Sequence, residues 1–335
     1  MREAIIQLVR GQHLNQAQAS QAMELIMTGE ATPAQIAAFL TALHLKGETD
    51  SEIAGMAAVM RAKAVAVPFD GQVVDTCGTG GDHSGTFNIS TTAAFVAAGA
   101  GVTVAKHGNR AMSSTCGSAD LLEGLGVNIE LDAEGVARCL REAQIGFMFA
   151  PKFHPAMRFA GPVRREIGIR TVFNVLGPLT NPARARYQVL GVANAELAEK
   201  MAHALALLHT EHALVVHGNQ VDELSLDGQN LIFEVRQQQV TRWEALRAAD
   251  LGLQSVPLER LRGGSVGENV AITRAILTGT ASQAHTDVVL LNAAAALVAA
   301  DRVTSIVEGL QLARHSLSSG AAYSRMQSMV EVSQA

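Results

Sequence analysis

The chain has little of what marks several large protein classes. Its three cysteines, Cys77, Cys116 and Cys139, are an odd number without CxxC spacing, which argues against a disulfide framework or a structural zinc site and fits a reducing compartment. They read as small buried residues. Like charges are not gathered into blocks: 26 basic and 31 acidic residues give a formal charge of −5, so a nucleic-acid duplex would lack its usual basic footprint. Long apolar runs are missing as well. The opening MREAIIQLVR has no signal-peptide core, and the longest run, VVLLNAAAALVAA, is broken by Asn292 and too short to span a bilayer. The expectation is a cytoplasmic protein with neither a nucleic-acid nor a membrane partner. No internal repeat stands out.

What is present suits a large folded core: 335 residues, 48% of them hydrophobic. The character of the chain changes near residue 70. Before it, LNQAQASQAMELIMTG, TPAQIAAFLTALHLKG and TDSEIAGMAAVMRAKAV carry apolar residues at helical spacing. Gly29 and Gly47 suit C-terminal caps, Thr32 and Pro33 an N-cap and first helical position, and Thr49 with Glu52 a capping box. From Val73 onward, β-branched runs alternate with alanine-rich helical stretches: VVDT, VTVAKHG, IGFMFAP, YQVLGV, HALVVHG and LIFEVR are the strands. That alternation predicts an α/β fold with a mainly parallel central sheet flanked by helices, preceded by a small helical domain. The predicted domains are 1–69, helical, and 70–335, α/β. A Gly-, Pro- and Asn-rich segment at about 162–183 fits neither pattern and reads as a crossing or hinge segment. The tail from Gly264 reads as helices, with Ser265 and Glu268 as a further capping box.

The chemistry concentrates in VDTCGTGGDHSGTFNISTTAAF, residues 74–95. His83 breaks the dinucleotide-binding glycine pattern, and no GK[ST] makes a P-loop. What remains is a strand followed by glycines whose amides can face one concavity, then Asn88, Ser90, Thr91 and Thr92 opening a helix. Two adjacent anion sites result. Lys106-His107-Gly108-Asn109-Arg110 follows the next strand and brings two cations, a histidine and an amide to the same carboxyl end of the sheet. AMSSTCGSAD, residues 111–120, adds hydroxyls, with Gly117 allowing close approach.

The strings GTGGD (78–82), TFNIS (86–90), KHGNR (106–110), SSTCGSAD (113–120), FHP (153–155), VRREIGIRTVFNVLGPLTNPA (163–183) and Asp222-Glu223, in this order, closely resemble those of the anthranilate phosphoribosyltransferases. These are tryptophan-biosynthesis enzymes of the nucleoside phosphorylase-like class, and the resemblance runs almost end to end. It implies a helical domain that dimerises, a larger α/β domain and a cleft between them that closes about the 162–183 segment. It also implies transfer of phosphoribosyl from phosphoribosyl pyrophosphate (PRPP) to the amine of anthranilate. By resemblance, Gly78, Gly80, Gly81, Asp82, Thr86, Asn88, Ser90, Thr91, Lys106, Ser114 and Ser118 hold PRPP, while Ser90, Asp222 and Glu223 hold Mg2+. Arg164 forks onto the anthranilate carboxylate, and Gly78, His107, Asn109, Pro151, His154, Gly177 and Pro178 line that pocket. An aromatic amine is neutral at pH 7, so no acid or base catalyst is assigned. His83 stands where the family usually has glycine, and Gln220-Val221 where Gly-Leu or Gly-Met commonly precedes the acidic pair. Two rival readings share the architecture: a pyrimidine nucleoside phosphorylase, and a non-catalytic nucleic-acid-binding paralogue.

Overall fold

The structure, a computed structural model, describes residues 1–111 and 115–335. Four helices open the chain: α1 (Arg2–Val9), α2 (Gln16–Met27), α3 (Pro33–Lys46) and α4 (Asp50–Lys63). Local chemistry fixes their starts. Asn15, Thr32 and Thr49 cap α2, α3 and α4, and Gln18, Gln35 and Glu52 answer in reciprocal capping boxes. Glu52 does more. It is fully buried, with Oε1 accepting the Leu14 amide at 2.8 Å and Oε2 accepting Lys46 Nζ and the Thr49 amide, each at 2.8 Å. One carboxylate thereby ties the α1–α2 connection to the end of α3 and the α3–α4 connection, and removing either charged partner would strand the other in the interior.

The rest of the chain runs β1 (Val74–Gly78), α5 (Ile89–Gly99), β2 (Val104–Gly108), α6 (Ser118–Leu125), α7 (Ala133–Glu142), β3 (Ile145–Phe149), α8 (Ala150–Phe153), α9 (Met157–Ile167), α10 (Phe173–Leu176), β4 (Tyr187–Gly191), α11 (Ala195–Leu207), β5 (His212–His217), β6 (Leu231–Arg236), β7 (Gln239–Arg242), α12 (Val266–Leu277), α13 (Gln283–Ala299), α14 (Ile306–Ser318) and α15 (Ala321–Gln334). The strands form one sheet in the order β3-β2-β1-β4-β5-β6-β7. β1 to β5 are parallel, and β6 and β7 antiparallel. This is the expected mainly parallel sheet with a helical N-terminal unit. β7 was not expected, because QQQVTR is too polar to read as a strand; it pairs only at the sheet edge.

The sheet is covered on both faces, which is why its strands are apolar runs rather than alternating ones. α5, α13 and α14 pack with Leu214, Val216 and Ile232 on one face. α11 and the N-terminal helices share a core with Ala213, Val215 and Phe233 on the other. α13, buried almost throughout, is the VVLLNAAAALVAA run; a helix apolar on all sides belongs in an interior. Among the described residues, no helix is long and apolar enough to cross a membrane.

The 162–183 segment corrects the reading that it lacks a regular pattern. Pro162 sits inside α9, and a 3-10 turn, Gly177–Leu179, follows α10. The proline obscures a helical period that the rest of α9 keeps. α9 packs on α2 and α3, where the Phe159 ring stands 2.5 Å from the place a β-carbon on Gly29 would occupy. At its far end Asn181 plugs into the sheet, its Nδ2 donating to Asp75 Oδ2 at 2.7 Å and to the Ala105 carbonyl at 2.8 Å.

Candidate active site

The chain builds β1 to β3 outward on one side of β1 and β4 to β7 on the other, so the switch in direction falls between β1 and β4, where open α/β sheets take their ligands. The two strands end there on a cross-strand pair of glycines, Gly78 and Gly191. Asp222 lies in the gap that these glycines leave. A β-carbon would stand 2.2 Å from Asp222 Oδ2 if placed on Gly78, and 1.5 Å from the Asp222 carbonyl oxygen if placed on Gly191.

The loop after β1 wraps the same carboxylate. Gly80 and Gly81 take left-handed backbone at φ +63° and +76°, which glycine adopts without steric cost. The turn points the Gly80 amide at Asp222 Oδ2, 2.7 Å away. Asp82 Oδ2 accepts the Asp222 amide at 3.3 Å. Carboxylate oxygens of Asp82, Asp222 and Glu223 lie within 4.8 Å of one another, and Glu223 Oε2 is buried with no hydrogen-bond partner. Burial, then repulsion from Asp82, pushes the Asp222 carboxyl up to about 7. Burial, then repulsion from Asp222, pushes Glu223 well above the carboxylate range. Half-buried acids that repel one another beside an orphaned oxygen suit a hard divalent cation, and these three residues could hold one.

Lys106 on β2 faces this cluster. It is buried, donates to the Thr76 carbonyl, and stands 3.4 Å from Ser90 Oγ in the first turn of α5. Burial lowers its pKa, while Asp75, Cys77, Glu223 and Asp222 oppose that shift. Ser90, Asp222 and Glu223 line one cavity. Among the described residues no side chain caps α5: Asn88 turns its Nδ2 to the Cys116 carbonyl at 3.0 Å instead, and the Ser90 amide already faces one anionic group, Glu223, as helix N-termini do. Thr91 is buried in that turn, and Thr86 sits in the loop before it, its Oγ1 3.1 Å from Ser84 Oγ. The structure brings these residues together, with one correction. Arg110 does not join them; its guanidinium clasps Asp120 at 3.0 Å and Glu123 at 2.7 Å on α6. Ser118 Oγ donates to the Asn109 carbonyl at 3.3 Å. Ser114 lies outside the described residues.

A second group forms around α10 and the turn after it. Arg164 on α9 is half-buried, holds its guanidinium 5.1 Å from the Phe173 ring centre, and makes no ion pair among the described residues. His107 and His154 are buried with their Nε2 atoms 3.2 Å apart. His107 also meets the Gly177 carbonyl; burial first, and His154 second, lower its pKa to about 3. Burial brings His154 to about 4. Both rings are neutral at pH 7, one nitrogen donating to the other. Pro178 is buried, its carbonyl accepting Gln188 Nε2 at 2.6 Å, whereas Pro151 and Asn109 are exposed.

The histidine pair gives a stability prediction. Imidazoles whose folded pKa lies below the unfolded value near 6.5 contribute fully above pH 6.5, and that contribution is lost as pH falls. Each unit below 6.5 removes about 1.4 kcal/mol per ring until the folded pKa is reached. Between pH 6.5 and 4.5 the slope of the urea midpoint against pH should be more positive in wild type than in His154→Asn, the opposing titration of the acidic pair being common to both. A variant with the wild-type slope would show that the pair does not set it.

Four contacts escaped the sequence reading. Asp82 joins the acidic group itself. Gly191 makes room for Asp222. Arg170 lies on the glycine loop, its Nη1 1.7 Å from where a Gly81 β-carbon would be and its Nη2 3.4 Å from the Gly80 carbonyl. Asn292 on α13 grips the residue after Glu223 by both backbone groups, accepting the Leu224 amide and donating to its carbonyl, each at 2.9 Å. All four act across long sequence separations; only the polar Asn292 inside an apolar run left a local signal. The two departures from the family pattern also find a reason. His83 and Gln220 have φ +57° and +66°, the left-handed region where glycine is at ease and other residues are disfavoured by about 1–2 kcal/mol.

Comparison with known proteins agrees with this geometry. The family model "Glycosyl transferase family, helical bundle domain" matches residues 2–64, and "Glycosyl transferase family, a/b domain" matches residues 70–323. Anthranilate phosphoribosyltransferase of Chloroflexus aurantiacus is 70% identical over 99% of this chain and 98% of its own. The crystal structure of the Thermus thermophilus enzyme superposes with a TM-score of 0.94 at 46% identity, covering 99% of both chains. The Saccharomyces cerevisiae enzyme in complex with PRPP and Mg gives a TM-score of 0.87 at 28% identity, over 96% of this chain and 94% of that one. On both sequence and fold, the chain belongs to the anthranilate phosphoribosyltransferase family.

Proposed function

We propose that this protein transfers the phosphoribosyl group of PRPP to the anthranilate amine, releasing pyrophosphate, with the acceptor held around Arg164 and PRPP and Mg2+ held at the β1–β4 switch point. The observation that carries the reading is the acidic trio, Asp82, Asp222 and Glu223, set against an amide-rich loop and an uncapped helix start. The yeast relative's complex with PRPP and Mg supports it.

In this reading Gly78, Gly80 and Gly81 lie along PRPP, with Asp82 and Thr86 beside them. Asn88, Ser90 and Thr91 present the α5 N-terminus to its pyrophosphate. Lys106 adds a buried positive charge, and Ser118 a hydroxyl. Asp82, Asp222 and Glu223, with Ser90, would hold magnesium, whose positive charge would offset the negative charge growing on departing pyrophosphate. Arg164 forks two N–H groups onto the anthranilate carboxylate, a geometry lysine cannot reproduce. Asn109, Gly177, Pro178 and Pro151 line the approach, and His107 and His154 bound it without adding charge that would compete for the carboxylate. The neutral amine needs no base. Catalysis then comes from aligning the amine with the anomeric carbon and stabilising the leaving group.

Loss of anthranilate fluorescence on adding PRPP and Mg2+ tests the reaction, and no loss with folded protein would overturn it. Arg164→Ala should raise KM for anthranilate about 10- to 100-fold, because a charged hydrogen bond is worth about 1.5–3 kcal/mol. An unchanged KM in steady-state kinetics would remove Arg164 from the acceptor site. Dimerisation through the helical domain belongs to the same proposal. It is supported by apolar side chains left exposed on α1 and α3: Val9 at 72% and Leu45 at 80%. Closure about the 162–183 segment is also part of it; scattering profiles unchanged by both substrates would count against closure.

A further inference from the structure

A second cationic cavity lies at the opposite end of the sheet. It has a volume of about 410 Å³ and is lined by Arg61, Arg184, Arg186, Leu208, His209 and Thr210, among others. Arg186 immediately precedes β4 and Thr210 lies just before β5, so these residues cluster at the amino ends of strands whose carboxyl ends carry the candidate active site. The two are separate sites.

Its charges are unbalanced. Arg186 pairs with Glu211, but Arg61 and Arg184 have no carboxylate partner among the described residues. Arg61 directs two of its donors to carbonyls, Nε to Leu179 at 2.5 Å and Nη1 to Leu208 at 3.3 Å. A guanidinium carries five N–H donors, so others remain. Thr210 is only 4% exposed, and its Oγ1 is buried with no hydrogen-bond partner. An unpaired hydroxyl in such a place carries a desolvation cost that a bound acceptor would remove. Three guanidiniums and one hydroxyl donor, against a single carboxylate, match a compact dianion with several oxygens, since guanidinium forks suit phosphate. The volume is in the range of small-molecule sites and exceeds the need of one phosphate group.

We infer that this cavity binds a small phosphate monoester, gripped by Arg61, Arg184 and Arg186 with Thr210 donating to it. Through Arg61 the ligand would adjoin the Leu179 carbonyl, next to Pro178.

Calorimetric titration with inorganic phosphate and with ribose 5-phosphate tests this. The protein is first given one equivalent of PRPP per chain with Mg2+ and no anthranilate, so that the candidate active site is filled without excess PRPP, itself a phosphate monoester, to compete, and ionic strength is matched with chloride. One further anion should bind per chain. Ribose 5-phosphate binding more tightly than phosphate would support the monoester, while equal or weaker binding would overturn the monoester in favour of free phosphate. Arg184→Ser combined with Arg186→Ser should weaken this binding at least tenfold and leave turnover unchanged, since both side chains are exposed and outside the transfer site. Thr210→Val, nearly isosteric, should weaken it severalfold without unfolding. Absence of the extra binding, or wild-type binding in both variants, would overturn the inference.

Discussion

Gly191→Ala is expected to lower kcat/KM for PRPP by about 100-fold or more while leaving the sheet folded. The new β-carbon would stand 1.5 Å from the Asp222 carbonyl oxygen and 2.5 Å from its carbonyl carbon. No rotamer relieves a contact with main chain, so the backbone that carries Asp222 and Glu223 has to move by more than an ångström. Displacements of about 1 Å at a reacting centre cost about 100-fold. Gly78→Ala is the internal control. Its β-carbon would clash with the Asp222 carboxylate, 2.2 Å from Oδ2, and lie in ordinary contact, 3.4 Å, with the Asp222 carbonyl oxygen; the clash falls on a side chain that can swing aside, so its loss should be smaller. Steady-state kinetics with Mg2+ titration, beside urea unfolding, separates the two. Gly191→Ala with wild-type kcat/KM would show that main-chain anchorage of Asp222 is not what places the acids.

Asp222→Asn combined with Glu223→Gln should cut turnover about 100- to 1,000-fold, the usual loss when groups that stabilise developing charge are removed. Stability should move the other way. Both carboxyls have folded pKa values above their unfolded ones, Asp222 about 7 and Glu223 well raised. In wild-type protein without metal this pair therefore contributes a loss of stability as pH rises from about 4 through 7, because its folded carboxyls hold protons that the unfolded state releases. The amides carry no such charge. At pH 8 without Mg2+ the double variant should unfold at higher urea than wild type, and at pH 4 the gap should shrink. Wild-type turnover, or a variant less stable at pH 8, would remove the acidic pair from the role proposed for it.

How much could be read from the residues alone follows from the distance over which each feature is encoded. Asn15, Thr32 and Thr49 each meet their partner three residues later, so a short window of sequence contains the whole helix start. The glycine loop and the α5 N-terminus were legible for the same reason, lying within one strand–loop–helix unit. Gly191, Asp82 and Arg170 matter through partners found in distant parts of the chain, and nothing beside them in sequence announces it. Arg110 was misplaced because its neighbours pointed to the sheet mouth, while its actual partners, Asp120 and Glu123, sit a turn apart on α6. Pro162 hid α9 because a proline is normally a helix breaker. Here it is tolerated inside a helix anchored by packing on α2 and α3.

Asn292 belongs to α13, a helix buried along most of its length, and holds the peptide next to Glu223 by two hydrogen bonds. The spine of the core is thus also the shelf on which the acids rest. Leucine at 292 would suit the interior better by every rule of apolar packing, yet it would let go of that peptide. At this position selection for thermal robustness and selection for chemistry pull in opposite directions, and an engineer who repacks α13 for rigidity alone would obtain a sturdier protein with its carboxylates adrift.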